Sequence, residues 1–120
     1  MAEPDKRRAH RLRIELPATF TIAEAKYPVL LGTTIDISAV GICLKTRAKL
    51  DVGQELAIHL RLPDEEKILI HTEVVWVKEL ESFMDREYSI GIKIIDALKT
   101  DESKFVKYYV SQLFKEYPPP

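Results

Sequence analysis

Cysteine is nearly missing from this chain: Cys43 is the single one in 120 residues. No intrachain disulfide can form, and no thiolate set is available for a metal. Histidine is scarce as well, and His10, His59 and His71 are too scattered to complete a ligand set. The four glycines never cluster into a phosphate-cradling loop. No run approaches the ~20 apolar residues of a membrane span. The charged N-terminus is not followed by the apolar stretch of a secretory signal, so the cytoplasm is the expected compartment. Neither sign of charge prevails: the formal net charge is −1 and the pI about 6.3, which argues against a polymeric nucleic acid as partner. Asp64-Glu65-Glu66 reads as a solvated turn, because nothing places it in an apolar pocket. No nucleophile, base and orienting group can be assembled, so neither an enzyme nor a resident cofactor is expected.

What remains is enough for one domain with one core, since 46% of the residues are hydrophobic. Apolar residues recur mostly at period two. Leu16, Ala18, Phe20 and Ile22 share a face, as do Leu56, Ile58, Leu60 and Leu62, and Tyr88, Ile90, Ile92 and Ile94. Leu31, Thr33, Ile35 and Ile37 place the apolar face of a strand over 29–38, with Thr34, Asp36 and Ser38 opposite. Residues 41–45 give a short strand in which Cys43 reads as a small core residue. Residues 67–80 give a long one that needs a bulge, because no single period fits Ile68-Ile70 and Val75-Val77 together. Turn signals at 25–28, 51–54 and 63–66 separate them. His59 and His71 fall on solvated faces. Six short strands point to a mainly β fold, a small antiparallel barrel or sandwich.

The period then changes. Phe105, Val106, Tyr109, Val110, Leu113, Phe114 and Tyr117 follow one face of a helix. Thr100 is the expected N-cap, Asp101 and Glu102 suit the positive end of the dipole, and Pro118 stops the helix. That face either packs on the barrel or serves self-association, leaving monomer and homodimer both open.

Two short segments carry the chemistry. The first is the basic arm, where Arg7 and Arg11 form R-x-x-x-R with Lys6, Arg8 and Arg13 nearby. A guanidinium fork fits two acceptors at once, either phosphate oxygens or the O6/N7 edge of guanine. The arm has little to bury, which predicts a segment that orders only on a ligand. The plainer alternative is a solvated charged tail. The second is Asp36-x-Ser38-x-x-Gly41 at a strand end. Asp36 can accept from the N1–H and N2–H edge of guanine. Gly41 permits positive φ or a close approach to the backbone. Alone, this segment could be a simple chain reversal with a hydroxyl turn.

Taken in this order and spacing, the two motifs resemble the PilZ domain family, as do the Val74-Val75-Trp76-Val77 run and the Tyr88–Lys93 strand. The resemblance implies a six-stranded antiparallel β-barrel of split-barrel type with a C-terminal helix. Residues 1–13 would be the arm, 14–97 the barrel, and 98–120 the helix and proline tail of the same domain. It also implies a bacterial receptor for cyclic di-GMP, acting in second-messenger signal transduction through a downstream protein partner. In that role Arg7, Arg8 and Arg11 would hold guanine or phosphate. Asp36 would accept from a guanine, Ser38 would donate to a phosphate, and Gly41 would let the ligand sit close. Lys6, just before R-x-x-x-R, would bear on whether one or two ligands bind. Trp76 is either a packing residue or a platform for a base. The alternative function is a protein-interaction module on the same barrel that leaves the nucleotide site idle.

Overall fold

The computed structural model describes residues 11–22, 25–64, 66–80 and 86–118. Lys6, Arg7, Arg8 and His10 of the expected arm lie outside these residues. In chain order the elements are β1 (Leu12–Arg13), β2 (Pro17–Ile22), β3 (Leu30–Ile37), β4 (Gly41–Thr46), β5 (Glu55–Arg61), β6 (Lys67–Leu80), β7 (Glu87–Ala97) and α1 (Lys99–Glu116). The sheet runs β1-β3-β2-β5-β6-β7-β4, every pairing is antiparallel, and β4 returns to β3. The result is the expected closed barrel of six strands, with β1 as one short addition.

β1 and β2 lie along the same edge of β3. Leu12 and Arg13 pair with Ile37 and Asp36, and Pro17–Phe20 pair with Thr33–Leu30. The three residues between them bulge, and Thr34 fills the gap. Its hydroxyl donates to the Ile14 carbonyl at 2.5 Å and accepts from the Leu16 N–H at 2.8 Å, and its own N–H donates to the Leu16 carbonyl at 3.0 Å. Thr34 is fully buried, so these bonds replace water that cannot reach it.

The period-two faces of β5 and β7 point inward as the sequence predicts, and so does that of β2 except at its end, where Ile22 is exposed. Phe20, Ile58, Leu60, Ile90 and Ile92 join Ile42, Leu44, Ile68, Ile70 and Val74 in one core. β6 has the expected irregularity, with register shifts at His71/Thr72 and Val74/Trp76. β3 departs from the sequence reading. A register shift between Thr34 and Asp36 puts Ile35 in a bulge. Before it, Leu31 points out at 71% exposure while Thr34 points in; after it, Ile37 is wholly buried. The single apolar face drawn from Leu31 to Ile37 is therefore broken, because pairing to β1, β2 and β4 sets the register more strongly than local alternation does.

α1 packs on β6. Phe105 and Tyr109 are buried in the core, while Val106, Phe114 and Tyr117 remain exposed, so the apolar stripe is only partly used. The Asp101 carboxylate accepts the Leu69 N–H at 3.0 Å, and Lys104 pairs with Glu66 at 2.5 Å. Thr100 is not the N-cap. The helix starts two residues earlier than that cap implies, at Lys99; Leu98 takes the cap position, and no side chain caps it. Asp101, instead of serving its own helix end, ties that end to the strand. No helix among the described residues is long and apolar enough to cross a membrane.

Candidate functional site

Antiparallel partners place their side chains on the same face of a sheet. Arg13 pairs with Asp36, Asp36 with Cys43, Cys43 with Gly91, and Gly91 with Trp76. These five residues form one row across β1, β3, β4, β7 and β6. The next row, Ile37, Ile42, Ile92 and Val74, is buried in the core. The first row is therefore on the outer face. From Asp36 to Trp76 is three strand spacings, roughly 14 Å.

Asp36 has a partner in place. Arg11 Nη1 donates to Asp36 Oδ1 at 2.6 Å, with the arginine side chain 47% exposed and the aspartate 22%. The arginine extends further across the sheet: its Nη2 lies 3.8 Å from where a Cβ on Gly41 would be. Arg11 thus spans from the start of β1, over β3, to the start of β4. Thr34 makes this possible, since its bonds to Ile14 and Leu16 hold the leader against β3.

Asp36, Ser38 and Gly41 have three different surroundings. Asp36 faces out. Ser38 is completely buried and does not share a face with it. The Ser38 hydroxyl accepts from the N–H groups of Gly41 at 3.1 Å and Val40 at 3.3 Å, and lies 3.2 Å from the Gly41 carbonyl, to which it donates. The hydroxyl expected to meet a phosphate is spent on the turn. Gly41 has no positive φ; among the described glycines only Gly53 does. A Cβ on Gly41 would stand 2.8 Å from the Ile92 carbonyl oxygen, so its smallness lets β4 approach β7.

Cys43 is buried, but outside the core cluster, and its Sγ lies 3.3 Å from the hydroxyl of Ser89. Trp76 is 41% exposed, and its indole lies directly on Gly91, where a Cβ would come within 2.2 Å of Cε2. The ring is thus neither core nor free: glycine's missing side chain gives it a seat on the outer face.

Beside the Arg11–Asp36 pair is a cavity of about 650 Å³ lined by Arg13, Glu15, Thr33, Thr34, Ile35 and Lys45. Arg13 and Lys45 were not among the sequence-level site residues. For Arg13 the signal was its two-residue spacing from Arg11; for Lys45 there was none, since its place depends on the β3–β4 register. No group of histidine, cysteine and carboxylate residues among those described could hold a metal.

The PilZ domain pattern matches residues 5–111, nearly the whole chain. The chain belongs to the PilZ domain family. Among curated proteins, no sequence matches it. Several solved structures share its fold. The Bacillus subtilis inhibitor of motility MotI/DgrA superposes with a TM-score of 0.72 at 17% identity, covering 92% of this chain and 52% of that one. The PilZ domain of YcgR from Escherichia coli, solved with c-di-GMP, gives 0.69 at 15% identity, covering 92% and 93%. MrkH of K. pneumonia in its apo state gives 0.74 at 19% identity, covering 89% and 51%. This PilZ chain thus spans about half the length of MotI/DgrA and MrkH, and nearly all of the YcgR domain.

Proposed function

We propose that this PilZ domain is a receptor for cyclic di-GMP. The observation that carries the reading is the Arg11–Asp36 contact at 2.6 Å: it brings the second arginine of R-x-x-x-R onto the aspartate of D-x-S-x-x-G. A guanidinium fork and a carboxylate side by side offer donors and acceptors for a guanine edge or a phosphate. Support also comes from family membership and from the PilZ domain of YcgR, whose structure includes c-di-GMP.

In this reading the ligand lies on the outer face. Asp36 accepts from a guanine, and Arg11 exchanges its bond to Asp36 for bonds to the ligand. Arg7 and Arg8, which the sequence puts on the same arm, add donors, with Lys6 behind them. Trp76 offers a face for a base at the far end of the row. Ser38 and Gly41 act by shaping the turn that carries Asp36. Engagement of the arm is the output, and slower proteolysis at Arg7 and Arg8 on adding ligand would report it.

Calorimetry with cyclic di-GMP on the parent, Arg11→Ala and Asp36→Ala tests the reading. Charge-assisted bonds contribute about 1.5–3 kcal/mol, so each variant should bind at least about tenfold more weakly while still folded. Parent-like binding by both variants, or no binding by the parent, overturns it.

A further inference from the structure

The larger of the two cavities described is elsewhere. It measures about 840 Å³ and shares only Thr33 and Lys45 with the cavity beside Asp36. It lies where the barrel wall parts. From Gly32 onward β4 lies along one edge of β3, and β2 and then β1 lie along the other on either side of the bulge at Thr34 and Ile35. Leu30 and Leu31 still pair with Phe20 and Thr19 of β2, but they lie beyond the last β4 pair, Gly32 with Thr46. After Thr46 the chain bends away through Arg47 and Ala48. One edge of Leu30 and Leu31 therefore carries no strand among the described residues, although Thr46 Oγ1 donates to the Leu31 carbonyl at 2.7 Å.

Two features of the lining define what fits. Val29 and Leu31 project outward at 53% and 71% exposure, two residues apart, which is the side-chain repeat of an extended chain. Side chains this large and this exposed mark an interaction site when they sit together. The charge is one-sided as well. Among the described lining residues Lys45, Arg47, Arg61 and Lys67 are basic and Glu87 is the one acid. That concentration stands on a chain whose net charge is −1.

We propose that this groove docks an extended segment of a partner protein, one that alternates acidic and apolar side chains and runs along the open edge of β3. Main-chain bonds to the edge would hold the segment, alternate side chains would seat on Val29 and Leu31, and the basic rim would steer the acids. A nucleic acid would use the cations but leave the apolar pair and the strand edge unused. The inference does not depend on the dinucleotide reading and survives its failure.

The test is a titration of the isotopically labelled full chain with three probes. They are a synthetic peptide alternating Glu with Leu and Val, its counterpart with Lys for Glu, and a single-stranded oligonucleotide of matching charge. The acidic peptide should shift the amides of 29–33, 45–48 and 59–67, and the basic peptide should not. Leu31→Ser and Lys67→Glu, both at exposed positions, should each weaken the acidic peptide at least about tenfold. Equal binding of the basic peptide, shifts elsewhere, parent-like affinity in both variants, or response to the oligonucleotide alone overturns the proposal.

Discussion

Arg11 and Asp36, 25 positions apart in sequence, meet at 2.6 Å on the outer face of the barrel. Both side chains are reached by solvent, and such pairs contribute about 0–1 kcal/mol to stability. Arg11→Ala and Asp36→Ala should therefore shift the urea midpoint little and leave the denaturant slope unchanged. A loss above about 3 kcal/mol would make the pair a structural element instead of a recognition one.

The turn after β3 should behave in the opposite way. Ser38→Ala leaves the buried N–H of Gly41, and the part-buried N–H of Val40, without their acceptor. The expected cost is about 1–3 kcal/mol. Gly41→Ala drives a methyl group against the Ile92 carbonyl, and backbone must shift to admit it. In both variants the Ile94 amide, which donates to Val40 at 3.0 Å, should exchange with solvent faster.

Thr34→Val keeps the shape of the side chain and removes the hydroxyl. The Leu16 N–H and Ile14 carbonyl lose their shared partner. A cost of about 1–3 kcal/mol is expected, with faster exchange of the Leu16 amide. Since Thr34 holds the leader on β3, the Arg11–Asp36 contact should loosen too, and cyclic di-GMP affinity should fall although the Thr34 side chain is buried.

Gly91→Ala would place a Cβ 2.1 Å from Trp76 Nε1. The indole has to leave its seat. Trp76 is the only tryptophan in the chain, so its fluorescence reports the move without a label. Emission should shift to the red as the ring meets more water. An unchanged spectrum would mean that the ring does not rest on Gly91 in solution.

The strands whose apolar residues alternate without interruption were legible from sequence, as β5 and β7 show. So was the need for a bulge in β6, since Ile68-Ile70 and Val75-Val77 cannot share one period. β3 was misread because its bulge at Ile35 comes from partners on two edges, and the segment itself carries no glycine or proline signal there. For Ser38, a one-dimensional motif cannot tell a hydroxyl aimed at a ligand from one folded back on its own turn, where the structure has it. Thr100 looked like a cap because threonine favours that place, but Asp101 is drawn to the free N–H of Leu69 and the helix begins earlier. Cys43 is buried as its apolar neighbours suggest, but Ile42 and Leu44 occupy the opposite face and it lies outside their cluster.

β7 enters the barrel between β6 and β4, and it supplies Gly91 to the outer row. Until that penultimate element is inserted, Trp76 has no seat and Gly41 no neighbour to approach. A growing polypeptide would carry Arg11 and Asp36 long before either could face a finished surface. Competence to recognise a ligand on that surface should then arrive late and all at once, with the keystone strand, and fragments ending short of Glu87 should be blind to it.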